Sequence, residues 1–537
     1  MTPEEWIAHD PDPETAAELT ACGPDELRAR FARPLRFGTA GLRGPLRGGP
    51  DAMNVAVVLR ATWAVAQVLT DRGLAGSPVV VGRDARHGSA AFAAATAEVL
   101  AAAGFPVLRL PGAVPTPVVA YAVRHTGAAA GIQITASHNP PTDNGYKVYF
   151  DGGMQIISPT DRQIETAMAA APPADQIARK PIPGADDGAD TDLVDRYIQR
   201  AAEVRRSAGS VRIALTPLHG VGGVVAVETL RRAGFDDVRT VAAQFAPDPD
   251  FPTVAFPNPE EPGATHAVLA LASDVGADVA IALDPDADRC AVGIPAAAGW
   301  RMLSGDETGW LLGDYILSHQ RGRAEPGTRI VASTVVSSRM LAAIAEHYGA
   351  IHVETLTGFK WLARADVNVP GSALVYAYEE AIGHCVDPAA VRDKDGISAA
   401  VLVCDLVATL KGQGRSVDDV LDELARRHGV HDVAAVSRRV ADSGEAAELM
   451  RRLRAAPPSQ LAGFTASISE TADALIFTGG DDDASARVVV RPSGTEPKLK
   501  CYIEIRCALT GVADDLRLAR ERARALRDEL VSSVRQW

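Results

Sequence analysis

No two of the six cysteines (Cys22, Cys290, Cys385, Cys404, Cys501 and Cys507) form a C-x-x-C pair, and zinc-ligand spacing is absent. A chain this long does not need disulfide staples, so these read as reduced thiols of a cytoplasmic protein. The N-terminus, Met-Thr-Pro-Glu-Glu-Trp, is acidic and lacks the apolar stretch of a secretory signal. Long hydrophobic runs are missing too: the most apolar helical stretch, Ala399 to Leu410, is broken by Asp405 and is too short to span a bilayer. Base is in deficit, with 54 Lys+Arg against 68 Asp+Glu, a formal charge of 54 − 68 = −14. That excludes a general nucleic-acid or anionic-membrane binder, which needs a basic footprint. Taken globally, the acid excess also disfavours an anionic ligand. The expectation is a soluble cytoplasmic protein.

What is present is core. At roughly 150 residues per domain, 537 residues make about 3.6 domains. A hydrophobic fraction of 47% with 23% charged residues suits sizeable buried cores. Three strand–helix–strand units recur. The first is Val79-Val80-Val81, a helix from Ser89 to Ala103 stopped by Gly104, and Val107 to Leu110. The second is Val211 to Leu215, a helix from Val224 to Ala233 closed by Gly234, and the apolar strand Val279 to Leu283. The third is Ile330 to Ser333, a helix from Ser338 to Tyr348, and Ile351 to Val353. Strand–helix–strand units with near-continuous apolar strands indicate parallel sheets covered on both faces. The function-bearing loops of the units fall at different registers, which argues for repeated architecture and against a short-period solenoid. The tail differs: Arg487 to Ile505 holds two β-rich runs around a turn, and Val512 to Trp537 is a charged amphipathic helix. Boundaries are expected at the Pro/Asp-rich stretch Ala171 to Asp190, a turn at Gly299 to Ser304, and Gly429 to Val433, with Ala246 to Gly263 read as a loop.

Four segments could carry chemistry. In Leu283-Asp284-Pro285-Asp286-Ala287-Asp288-Arg289, an apolar strand delivers three alternate carboxylates at its carboxyl end, where open α/β sheets bind ligands. Crowded carboxylates repel unless a cation holds them, and oxygen-only donors suit Mg²⁺. An EF-hand is excluded by Arg289 and Pro295 at its sixth and twelfth positions. In Thr135-Ala136-Ser137-His138-Asn139-Pro140-Pro141, the serine follows another apolar strand but not as a G-x-S-x-G elbow; alone it could be an Asx turn. The continuation through Asn144-Gly145 reads as a tight turn returning Lys147 toward Ser137. Arg491-Pro492-Ser493-Gly494-Thr495-Glu496-Pro497-Lys498 reads either as a phosphate cradle or as a plain hairpin turn. Phe37 to Gly44 is Gly-rich with Arg43, compatible with a phosphate contact but neither a Walker A loop nor G-x-G-x-x-G.

The ordered set F-G-T-A-G-L-R-G, T-A-S-H-N-P-P-T-D-N-G-Y-K, D-P-D-A-D-R, Y-E-E-A-I-G-H and R-P-S-G-T-E-P-K resembles the α-D-phosphohexomutase superfamily. Within it, the set is similar to the long phosphoglucomutase/phosphomannomutase branch that includes phosphopentomutase-type members. The resemblance implies a four-domain architecture, three similar α/β domains with mixed sheets plus a smaller C-terminal α+β domain. These would be residues 1–205 with the phosphoserine loop, 206–304 with the metal loop, 305–430 with the sugar-binding loop and 431–537 with the distal phosphate loop. It further implies reversible phosphoryl transfer between the 1- and 6-positions of glucose or mannose phosphate through a phosphoserine. One Mg²⁺ per site and a sugar 1,6-bisphosphate, as activator and intermediate, go with it. Ser137 would be the phosphorylated serine, with Asp284, Asp286 and Asp288 holding the metal together with a phosphoserine oxygen. Arg43 would contact the phosphoserine, Arg289 would sit beside the three aspartates, and His138 and Lys147 would be the proton-transfer candidates near the reacting hydroxyl. Sugar contacts would come from Gly358, Phe359 and Lys360 and from Glu379, Glu380 and His384. The non-reacting phosphate would lie on Arg491, Ser493, Gly494, Thr495 and Lys498. That local set of cations answers the objection from global acidity.

Two departures bear on sugar choice: Ile382 stands where many relatives have serine, and Phe359 where some bacterial relatives have histidine. Transfer between the 1- and 5-positions of a pentose phosphate is the alternative. A haloacid-dehalogenase-like phosphatase using Asp284 and Asp286 would expect Thr or Val at Asp288, and it leaves Ser137 and Arg491 without a role. A non-catalytic sugar-phosphate binder would not need the serine, three aspartates and Lys147 together. Monomer and dimer both remain open.

Overall fold

The computed structural model describes residues 1–38, 41–182, 190–319, 328–440, 443–492, 498–509, 511 and 514–537. The chain forms two compact units, Met1–Ser304 with Ala381–Gly412, and Gly305–Glu380 with Gln413–Trp537. Among the described residues no single helix is long and apolar enough to cross a membrane.

The first unit carries two mixed sheets. In one, β1 (Leu42–Pro45), β2 (Val79–Arg83), β3 (Val107–Arg109), β4 (Ala130–Ile134) and β5 (Asp143–Phe150) run in the order β1-β5-β4-β2-β3, with β6 (Met154–Gln155) on β5. In the other, β7 (Ile213–Thr216), β8 (Val238–Thr240), β9 (Val279–Leu283), β10 (Cys290–Ala296) and β11 (Gly299–Met302) run β11-β10-β9-β7-β8. The two match: β2 pairs parallel with β3 and β4 as β7 does with β8 and β9, and an antiparallel partner then follows β4 and β9. β4 and β9 are buried at every residue; β9 is apolar throughout, while β4 carries one polar residue, Gln133, whose side chain donates to the Val114 carbonyl.

The second unit repeats the parallel core. Arg329–Thr334 lies between Ile351–Thr355 and Ala373–Glu379, parallel to both. Its C-terminal part is a five-stranded antiparallel sheet from Val430–Arg439 through Lys498–Cys507, Ala484–Pro492 and Leu475–Gly480 to Ser467–Glu470, backed by the helix Asp515–Val534. The architecture is therefore three α/β domains with mixed sheets and a smaller α+β domain.

Several local expectations change. The function-bearing loops do not differ in register: the Ser137 loop, the aspartate loop and Glu380 each follow the third strand of their own parallel core. Asn144-Gly145 is no turn but lies within β5, paired with Gly44 and Arg43 of β1. Gly145 is needed there for closeness, since a Cβ would sit 2.5 Å from the Thr135 carbonyl oxygen and 2.7 Å from that of Leu42. The stretch from Gly299 is strand, not turn, because Trp300 and Met302 pack on the apolar cluster of the second domain. Three N-terminal helices, Pro3–Ala8, Pro13–Ala21 and Pro24–Ala32, were not anticipated. Each opens with proline in its first turn, after Thr2, Asp12 and Gly23, and Trp6 and Leu19 join the first-domain core.

In the second unit a buried polar network ties the third-domain loop after Thr334 to the C-terminal sheet. Glu504 accepts from the Ser338 hydroxyl (2.6 Å) and the Arg339 amide (2.9 Å), and pairs with His431 Nδ1 at 2.8 Å. Asp306 Oδ1 accepts from the Ser338 amide and the Tyr378 hydroxyl, both at 2.8 Å. Burial, and then the charges of Glu380 and Glu504, push the Asp306 carboxyl up to about 7 against those two hydrogen bonds. An unfolded Asp titrates near about 3.9. The folded state therefore binds the extra proton between these values, and its stabilising contribution, full below about pH 4, is lost as pH rises to about 7. Asp306→Asn keeps the acceptor and removes the titration. The difference in unfolding free energy between wild type and this variant, from urea melts, should change across pH 4 to 7 by up to about 1.4 kcal/mol per unit and then flatten. A constant difference over that range would contradict the assignment.

Candidate active site

The Ser137 loop leaves the end of β4 under strain. Ser137 has φ +53°, a left-handed conformation that costs a side-chain-bearing residue energy and needs enforcement. The enforcing group is Arg86, buried, whose guanidinium donates to the carbonyls of Ser137 (2.7 Å), Asn139 (2.5 Å), Pro140 (2.7 Å) and Asp143 (3.1 Å). Asp84, 3.5 Å away, is its counter-ion, and Phe251 stacks on it at 5.0 Å. The Ser137 amide donates to Thr135 Oγ1, and Arg43 donates to Asn139 Oδ1 at 3.3 Å. The serine hydroxyl thus has a fixed direction: it donates to Asp284 Oδ2 at 2.9 Å and lies 3.2 Å from His138 Nδ1.

The aspartate loop leaves the end of β9. Ala287 at φ +56° bends it, the Ala287 amide bonds the Asp284 carbonyl, and the Arg289 amide donates to Asp284 Oδ1. Asp284, Asp286 and Asp288 are all buried, each offering an oxygen within 4.8 Å of the others. Lys147, at register with Gln133 across β4–β5, puts Nζ 2.7 Å from both Asp286 Oδ2 and Asp288 Oδ2. Lys394 Nζ lies 3.2 Å from Asp288 Oδ2. Arg289 Nε is 4.0 Å from Asp288 Oδ1 and its guanidinium pairs with Glu260.

The electrostatics follow. Burial, then the neighbouring Asp286 and Asp288 charges, push Asp284 well above the usual carboxylate range. Burial pushes Asp288 up as well, but Lys147, Lys394 and Arg289 overcome it and hold its carboxyl far below that range. Burial, then Arg289 and Arg43, keep His138 neutral. Asp286 Oδ1 and Asp288 Oδ1 are buried with no hydrogen-bond donor among the described residues. Three converging carboxylates, oxygen-only donors and two orphaned buried oxygens fit a hard divalent cation.

Ser137, His138, Lys147, Arg43, Arg289 and the three aspartates all belong to the first unit, as does His384. His384 is fully buried, and burial pushes its imidazole down to about 3. Ile382 is buried among Ala280, Ala282 and Ala291, in the apolar cluster of the second domain. The second unit holds Gly358, Phe359, Lys360, Glu379, Glu380, Arg491 and Lys498. Glu380 Oε2 accepts from Thr334 Oγ1 and Ser337 Oγ, both at 3.2 Å, so three neighbouring parallel strands place this loop, Thr334 and the Gly358 turn at their carboxyl ends. Phe359 is buried and Lys360 part-exposed. Arg491 pairs with Asp473 at 3.2 Å, while Ser493, Gly494 and Thr495 lie outside the described residues.

Three contributors were missed from sequence: Arg86, Lys394 and Thr116, whose hydroxyl donates to Asp286 Oδ2 at 2.6 Å. The first two had a signal. Gly82-Arg83-Asp84-Ala85-Arg86 ends an apolar strand, and Arg392-Asp393-Lys394-Asp395-Gly396 precedes the apolar helix Gly396–Gly412. Gly396 brings that run close, because a Cβ there would lie 2.4 Å from the Arg289 carbonyl oxygen.

Models of the phosphoglucomutase/phosphomannomutase α/β/α domains I, II and III match residues 34–174, 195–296 and 304–428, and that of the C-terminal domain matches 436–517. A Haemophilus influenzae protein named "Probable phosphomannomutase" is 41% identical over 472 residues, 84% of this chain and 93% of its own. The Mus musculus "Phosphopentomutase" is 34% identical over 591 residues, 99% of this chain and 93% of its own. The X-ray structure of a phosphoglucomutase/phosphomannomutase family protein from Burkholderia thailandensis superposes with a TM-score of 0.68 at 22% identity, covering 91% of this chain and 97% of that one, and so shares the fold.

Removing Arg86 strands the buried Asp84 and frees four carbonyls of the serine loop. Arg86→Ala is expected to lower unfolding free energy by about 3–5 kcal/mol, measured by urea denaturation. A loss under about 1 kcal/mol would show that the loop holds its geometry without it.

Proposed function

The chain belongs to the phosphoglucomutase/phosphomannomutase family, and from that premise we propose that it is a phosphosugar mutase that moves a phosphoryl group between the 1- and 6-positions of a hexose phosphate. The observation that carries this reading is the Ser137 hydroxyl, held by a strained loop 2.9 Å from Asp284, one of the three clustered carboxylates.

Ser137 Oγ carries the phosphoryl group. A sugar hydroxyl attacks phosphorus, the bond to Oγ breaks, and a bisphosphorylated sugar forms. After that sugar turns round, Oγ takes the other phosphoryl group back. Such transfer is mainly positioning and charge neutralisation, which suits a site built of fixed cations. Asp284, Asp286, Asp288 and a phosphoserine oxygen would hold one Mg²⁺, which when bound neutralises charge on the transferring group. Arg43, beside Asn139, and Arg289 add positive charge at the same place. His138, 3.2 Å from Oγ, and Lys147, bonded to two of the carboxylates, would move the hydroxyl proton. Gly358, Phe359, Lys360, Glu379, Glu380 and His384 would form or support the sugar-binding loops, and Arg491, Ser493, Gly494, Thr495 and Lys498 the site for the non-reacting phosphate. The domain limits 1–205, 206–304, 305–430 and 431–537 place one such loop in each domain. A sugar 1,6-bisphosphate would prime the enzyme.

A pentose phosphate is the second reading, favoured by the likeness to a phosphopentomutase along 99% of the chain and by the buried Ile382, which supplies no hydroxyl. kcat/KM for glucose 1-phosphate, mannose 1-phosphate and ribose 1-phosphate separates them. The hexose reading expects a preference of about tenfold or more for one of the first two, and the reverse order would replace it.

Incubation with glucose 1,6-bisphosphate should add one phosphate to wild type by intact mass, and none to Ser137→Ala. Equal labelling of the two proteins would remove Ser137 from the mechanism. Asp286→Asn should lower divalent-metal-dependent turnover by at least about 100-fold with the fold intact by circular dichroism, whereas full activity would exclude Asp286 from the metal set.

A further inference from the structure

Asp286 is also held from the segment that follows β3, through Thr116. The segment Val114-Pro115-Thr116-Pro117 joins β3 to the helix Thr116–Thr126. It is anchored twice at Val114, whose amide donates to the Arg83 carbonyl at 2.8 Å and whose carbonyl accepts from Gln133 Nε2 at 3.0 Å. Prolines on both sides of Thr116 restrict its backbone further. From this fixed base the fully buried Thr116 bonds Asp286 twice. Its amide donates to the Asp286 carbonyl at 2.9 Å, and its hydroxyl donates to Oδ2 at 2.6 Å.

The two oxygens of Asp286 are thereby made different. Oδ2 accepts from Thr116 and from Lys147 Nζ at 2.7 Å, whereas Oδ1, equally buried, has no donor among the described residues. Lysine alone would leave the carboxylate free to turn about its own axis, because an ammonium is a point charge with rotatable donors. A second donor from a rigid loop, arriving from another direction, fixes that rotation. We propose that Thr116 is a positioning residue that locks Asp286 with Oδ1 turned to the metal and Oδ2 turned away from it. This rests on the reading of the aspartate triad as a divalent-cation site.

Mn²⁺ binding to the dephosphorylated full-length enzyme without sugar, followed by calorimetry or by the free-ion electron paramagnetic resonance signal, tests it without turnover. Thr116→Val keeps the shape and the backbone bond but loses the hydroxyl, and should weaken Mn²⁺ binding by about tenfold or more. Thr116→Ser keeps the hydroxyl and should stay near wild type; Asp286→Asn should abolish binding. In turnover, Thr116→Val should raise the Mn²⁺ concentration for half-maximal rate while leaving KM for the sugar phosphate unchanged. A Thr116→Val protein with wild-type Mn²⁺ affinity, while Asp286→Asn binds none, would overturn the positioning role. Wild-type affinity in Asp286→Asn would instead overturn the metal reading beneath it. Should Thr116→Val not fold, Thr116→Ala is read by the same two criteria.

Discussion

Three carboxylates on one short loop, all out of water, are the constraint on which the first unit depends. An isolated buried carboxylate costs several kcal/mol, and three within reach of one another cannot all ionise unaided. The protein brings Lys147 from β5 and Lys394 from the segment before Gly396, while Asp284 remains pushed toward its protonated form. Each partner requires a close backbone approach, which is where glycine stands at 145 and 396. The arrangement is balanced but not saturated: two oxygens keep no donor among the described residues, and that is the opening a divalent cation fits. The chain's net charge of −14 says nothing about this, because the local set of Arg43, Lys147, Arg289 and Lys394 decides what an anion meets.

The second consequence is topological. The three α/β domains fill the same slot, the end of the third parallel strand, with different residues: the Ser137 loop, a loop of three carboxylates and a loop with paired glutamates. Strand ends in such sheets point backbone and side chains into a crevice, so one architecture can be loaded with different residues. The strain found at Ser137 and Ala287 falls in two of these loops. Both loops are tied down from outside, the Ser137 loop through four carbonyls on Arg86 and the aspartate loop through the bond from Thr116 to Asp286.

What could be read from sequence was what is continuous in it. Strand β9 is an unbroken apolar run and β4 is apolar but for Gln133, so their ends, Ser137 and the three aspartates, were legible as site candidates. Lys147 was legible as a residue but not by its route: Asn144-Gly145 carries the local signature of a turn, and the need for closeness to Thr135 and Leu42 is a tertiary fact. Arg86, Thr116 and Lys394 act 51 residues or more along the chain from the groups they hold, apart from the local loop contacts, so no spacing rule points to them. The −Pro opening of the N-terminal helices was a usable local signal left unread. Glu380, in the second unit, had a recognisable motif, whereas the burial of His384, Ile382 and Phe359 depends on neighbours that only the fold supplies.

The proposed chemistry requires the triad to be a cation site beside Ser137. Anomalous diffraction from crystals soaked in Mn²⁺ locates the ion directly. One peak within about 2.5 Å of an oxygen from each of Asp284, Asp286 and Asp288, with Asp286 contributing Oδ1, is the expected result. A triad with no peak while Lys147 remains bridged to Asp286 and Asp288, or a peak held by other residues, would contradict it.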